Sequence, residues 1–124
     1  MKRDKIIYWA ATGLISLMML FSGYNYFTNE EVKQGFTHLG FPSYFRVELG
    51  IAKILGAVLL LIPVIPTPIK DAVYGGFAIV FVSAFIAHAA SGDPTGVLMA
   101  PAVFFVVLIV SFVYYHKTIA KSVA

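Results

Sequence analysis

What most constrains this chain is the grouping of its apolar residues into four long blocks, each close to the ~20 residues that a helix needs to cross ~30 Å of hydrocarbon. The connections between them are too short to hold a second domain, so residues 1–124 read as a single transmembrane domain. With 60% of the residues hydrophobic, 12% charged and a mean hydropathy of +0.87, a soluble fold of this length could not cover so much apolar surface. Lipid is the solvent this sequence implies. The expected fold class is all-α, an integral membrane four-helix bundle, because in hydrocarbon a helix satisfies its own backbone hydrogen bonds.

The spans are expected at about 6–27, 44–62, 71–90 and 97–115. The first follows the basic start Lys2-Arg3-Asp4-Lys5. It lacks a small-x-small cleavage site and reads as a retained helix rather than a signal peptide. Pro63, Pro66 and Pro68 stop the second and turn the chain, and Ser91-Gly92-Asp93-Pro94 ends the third. Between the first two spans, Asn29-Glu30-Glu31 resembles a helix cap followed by acidic first-turn residues. That connector is predicted to be a short amphipathic helix lying on the membrane surface.

Lys2, Arg3, Lys5, Lys70, Lys117 and Lys121 fall on one side of this layout and Lys33 alone on the other. The basic side should be cytoplasmic, with both termini inside a plasma (inner) membrane. Tyr8, Trp9, Tyr74, Tyr114 and Tyr115 then mark the inner interface, and Tyr24, Tyr26 and Tyr44 the outer one. The formal net charge of +3 reflects this flanking, and nucleic acid is not an expected partner.

Ionisable residues inside a span each call for a partner or a wet cavity. The second block holds Arg46, Glu48 and Lys53, the last about 13 Å below the outer end at ~1.5 Å per residue. Asn25, Ser83 and His88 fall in the same outer half, so a polar pocket is expected there, with Lys53, Glu48 and His88 facing the bundle interior. No comparable set is expected in the inner half. Catalytic templates fit poorly. With no cysteine there is no disulfide or thiolate site, His38, His88 and His116 do not converge on a metal, and no Ser-His-acid set or Gly-rich phosphate loop is evident.

Several runs resemble the DoxX-like family of small four-span membrane proteins: His38-Leu39-Gly40-Phe41-Pro42-Ser43-Tyr44-Phe45, Gly50-Ile51-Ala52-Lys53-Ile54-Leu55-Gly56-Ala57 through Pro63, Lys70-Asp71 with Tyr74-Gly75-Gly76-Phe77, and Ala84 to His88 with Gly92-Asp93. The resemblance implies a fold and a membrane location more than an activity. The wider family includes a subunit associated with a thiosulfate:quinone oxidoreductase and distant relatives that look like assembly chaperones. Its pattern singles out Lys53, Asp71, Tyr74, His88 and Asp93. This chain departs from it at Ala72, where related sequences often place an aromatic residue, and at Val80, where they often place an acidic one.

Three functions are expected, in this order. The first is a non-enzymatic membrane protein whose outward-facing pocket binds a lipophilic or anionic ligand or a partner protein. The second is a membrane subunit of a quinone-linked oxidoreductase complex, with Lys53 and His88 on the quinone oxygens. The third is a proton-coupled small transporter using Glu48 and His88, for which the small-residue faces permit a homodimer.

Overall fold

The computed structural model describes residues 2–123, with the side chains of residues 122 and 123 left aside. Six helices account for nearly all of it: α1 (Lys2–Thr28), α2 (Glu30–His38), α3 (Ser43–Leu61), α4 (Thr67–Ala90), α5 (Thr95–Lys117) and the short α6 (Ile119–Val123). Among these, α1, α4 and α5 are long and apolar enough to cross a membrane. The remaining long helix, α3, has 19 residues and carries Arg46, Glu48 and Lys53.

Turn chemistry sets the ends of these helices. The Asn29 side chain accepts from the backbone N–H groups of Glu31 at 2.9 Å and Val32 at 3.3 Å, which satisfies donors left free at the start of α2. Gly40, at φ 85°, closes that helix: its N–H donates to the Thr37 carbonyl and the Phe41 N–H to the Phe36 carbonyl. This is the pairing that a left-handed glycine just past a helix end permits. No residue of α2 is buried, so it is a short helix on the outside of the bundle between α1 and α3. Rings hold it down, with Phe36 4.8 Å from Tyr26 of α1 and Phe41 5.0 Å from Phe45 of α3, centroid to centroid. The fourth helix starts four residues earlier than expected, at Thr67 rather than 71, because Pro68 fits the first turn, where its missing N–H has no partner to lose.

The long helices do not pack equally. α1 lies firmly against α3 and α5, and α4 against α5, whereas the seam between α3 and α4 is thin. Tyr8, Ile15, Met19, Leu60, Phe77 and Leu108 lie in the core. The α4–α5 turn meets α2 at one end of the bundle, through His38 and Asp93. The start of α4 meets α5 at the other, the terminal end, through Thr67 and Tyr115.

Candidate functional site

Two glycines bring α1 and α3 together. A Cβ on Gly23 would lie 2.7 Å from Ile54 Cγ1 and 3.0 Å from the Gly50 carbonyl oxygen, and one on Gly50 would lie 2.9 Å from the Phe27 ring. This approach draws the cations of α3 between the helices. Lys53, only 6% exposed, donates to Ser22 Oγ at 3.0 Å and to the Tyr26 hydroxyl at 2.5 Å. Its Nζ also stands 4.3 Å from the centroid of the Tyr26 ring. Arg46 donates through Nη1 to the Tyr26 backbone carbonyl. Among the described residues neither cation has a carboxylate within ion-pair distance. Hydroxyls, a carbonyl and a ring face solvate an ammonium without neutralising it.

Lys53 also borders a cleft of about 250 Å³ between α3 and α4, whose wall includes Leu49, Ala52, Gly56, Phe77 and Val80. The helices touch at Gly56, where a Cβ would lie 2.7 Å from Phe77 Cζ. Val80, at the position where the resemblance leads one to expect an acid, is part of this apolar wall.

The other predicted pocket residues do not gather around Lys53. Glu48 is exposed, contrary to the expectation that it faces inward. Five residues amount to about 140° around a helix, so turning Lys53 toward α1 turns Glu48 away from it. Ser83 is exposed too, and the Asn25 side chain donates to the Phe21 carbonyl of its own helix at 3.0 Å.

His88 belongs to a separate group. Its ring Nδ1 lies 2.6 Å from Asp93 Oδ2, while His38 Nε2 lies 2.9 Å from Asp93 Oδ1, so a single carboxylate ties the end of α2 to the end of α4. Gly92, at φ 74°, makes this possible by folding the Asp93 N–H back onto the His88 carbonyl at 3.0 Å. The hydrogen bond from His88, and after it the one from His38, holds the Asp93 carboxyl below the usual carboxylate range. Sequence reasoning left His38 in a connector with no role; the glycine-closed ends of α2 and α4 were the available signal. Among the described residues no set of three or more His, Asp or Glu side chains is placed to hold a metal ion.

The terminal half carries a polar group that the sequence reading did not foresee. Ser111 Oγ lies 2.6 Å from Thr12 Oγ1 and 2.7 Å from the Tyr74 hydroxyl, joining α1, α4 and α5, and all three residues are buried. Tyr115 pairs with Thr67 at 3.0 Å and Asp71 with His116 at 2.7 Å. Lys70, fully buried, donates to the Leu60 carbonyl at 2.7 Å, which places a cation at the C-terminal end of α3, where it favours the helix dipole. Tyr8, Thr12 and Ser16 follow one another at four-residue spacing on the buried face of α1, a polar stripe that was readable in the sequence. Tyr8 OH and Ser16 Oγ have no hydrogen-bond partner among the described residues.

These features define a small helical membrane protein whose buried polar groups lie at its helix seams. It belongs to the DoxX-like family, whose family model matches residues 10–111. The residues singled out by the resemblance, Lys53, Asp71, Tyr74, His88 and Asp93, each make a side-chain hydrogen bond to another side chain. No curated protein and no solved structure matches the chain.

Proposed function

We propose that the chain is a non-enzymatic membrane protein that holds a lipophilic ligand in the α3–α4 cleft, with an anionic or carbonyl group of the ligand taken by Lys53. One observation carries this reading: the Lys53 ammonium is buried beside an apolar cleft and is served by neutral acceptors only. A buried cation without a counter-charge favours an anionic or strongly accepting guest. In this reading α3 is the fourth span, and the basic terminal end faces the cytoplasm.

Quinones fall within this chemical class, being lipophilic and carbonyl-bearing. Lys53 and His88 hold different partners, so a quinone is proposed here as a guest of Lys53 alone. The test is mass spectrometry of what copurifies with the wild type and with Lys53→Met in mild detergent. A lipid or quinone recovered at least tenfold less from the variant supports the reading, and equal recovery of every species from both removes it. For the topology, a cysteine introduced at exposed Glu30 should react with an impermeant thiol reagent from outside only. Labelling from the cytoplasmic side would reverse the assignment.

A further inference from the structure

The charges of α3 are sorted by face. Arg46 and Lys53 both donate into α1, at Tyr26 and Ser22, while Glu48 is exposed and takes no hydrogen bond or ion pair among the described residues. Glu48 stands seven residues before Leu55, and Ser83 seven residues after Gly76; Leu55 and Gly76 both line the α3–α4 cleft. Seven residues are almost two helical turns, so Glu48 and Ser83 share the faces of those lining residues, about 10 Å nearer the α2 end. Because the two helices run in opposite directions, both groups flank the same end of one apolar cleft. With α3 as the fourth span, a carboxylate on its outer face calls for a counter-cation, and among the described residues no cation lies within ion-pair distance of Glu48. Arg46 donates into α1, and Lys53, although it borders the cleft, has its ammonium engaged by Ser22 and Tyr26 of α1.

From this arrangement we infer that Glu48 and Ser83 form the head-group site for a lipophilic cation, a quaternary or protonated alkylamine, whose chain enters the α3–α4 cleft sideways from the bilayer. The carboxylate supplies charge recognition, Ser83 offers a hydrogen-bonding hydroxyl beside it, and Leu49, Ala52, Leu55 and Val80 receive the chain. The site uses the same cleft as the Lys53 reading but does not depend on Lys53.

Two glycines of α4 provide variants that separate the cleft from the fold. A Cβ on either Gly75 or Gly76 meets nothing within 4 Å, yet only Gly76 lines the cleft. Gly76→Leu therefore fills it, and Gly75→Leu serves as the matched control. The measurement is binding of a fluorescent dodecyltrimethylammonium to the full chain in zwitterionic nanodiscs, with the dodecyl alcohol bearing the same fluorophore as the uncharged comparison.

The wild type should bind the cation at least tenfold more tightly than the alcohol. Glu48→Gln and Gly76→Leu should each weaken cation binding tenfold or more, Ser83→Ala about threefold, and Lys53→Met and Gly75→Leu less than twofold. Glu48→Asp, which keeps the charge, should restore most of the binding and so separates loss of charge from loss of fold. Equal binding of cation and alcohol, or an unchanged Glu48→Gln, overturns the inference. Binding of the alcohol at least as tight as that of the cation, weakened by Lys53→Met and unchanged in Glu48→Gln, assigns the cleft to the Lys53 reading alone.

Discussion

The two seams made by α3 differ in kind. Toward α1, Gly23 and Gly50 let the backbones approach until no Cβ fits, and the narrow space holds two cations among hydroxyl, carbonyl and ring acceptors. Toward α4 the contact is thin, Gly76 faces open space, and what remains is an apolar cleft. The same residue type thus serves opposite ends. A glycine against a neighbouring backbone closes a seam, and a glycine facing nothing leaves one open. Arg46 and Lys53 follow the closed seam because there enough neutral acceptors lie within reach to replace water.

The largest expected effect comes from forcing the closed seam apart. Gly23→Leu puts a side chain where the Gly50 carbonyl already stands 3.0 Å from a Cβ, and overpacking of this kind should destabilise the protein by about 3 kcal/mol. Thermal unfolding in detergent would measure it. A melting temperature within a degree or two of wild type would mean that the seam is looser than described.

Tyr26→Phe tests the polar content of the same seam. It removes the hydroxyl that accepts from Lys53 at 2.5 Å while keeping the ring and the backbone carbonyl used by Arg46. The expected loss is about 1.5 to 3 kcal/mol, the range for a hydrogen bond to a charged group. A double-mutant cycle with Lys53→Met should show the two changes to be non-additive, and additive losses would mean that the contact carries little energy.

The open seam should respond with the opposite sign. Gly76→Ala meets no neighbour and replaces a flexible residue inside a helix, so it should stabilise by about 0.5 to 1 kcal/mol. Destabilisation there would show the cleft to be narrower than described.

The smallest effect on global stability is expected at Asp93, whose loss should free α2 locally. Hydrogen exchange of the α2 amides, compared between wild type and Asp93→Asn, would measure it. The Asp93 carboxyl is held below the usual carboxylate range. Its contribution is therefore complete above the ordinary value of ~3.9 and fades only as pH falls through the lowered one. Between pH 5 and 8 this carboxyl should stay ionised in the wild type. An Asp93→Asn variant whose α2 exchanges no faster than wild type at pH 7 would show that the ring contacts of Phe36 hold α2 unaided.

Much of this architecture was legible beforehand. Apolar block length and proline stops located the long helices to within a few residues, and Asn29 announced α2 through its side-chain oxygen. Lys53 was also legible, since an ammonium so deep in a span must find acceptors. What could not be read was which acceptors it finds. Ser22 and Tyr26 lie 31 and 27 residues away, and nothing local in α3 points to them. Glu48 was expected inside on charge alone, but the phase of the helix is set by Gly50 and Lys53 packing on α1, which turns Glu48 outward. The hydroxyl group at Ser111 escaped notice because serine and threonine in apolar helices so often bond their own backbone.

The pairing of Thr12 with Ser111 spans 99 positions of the chain, and this has a consequence for the order of assembly. The hydroxyl that lies 2.6 Å from Thr12 belongs to Ser111, in the last long helix. As the chain emerges from the ribosome, the α1–α3 seam with its two cations has all its members by residue 61, before α4 or α5 exists. The terminal-end hydroxyl cluster has to wait for the last span. The young protein therefore passes through a stage in which Arg46 and Lys53 are already housed while Thr12 and Tyr74, in the other half, still lack Ser111.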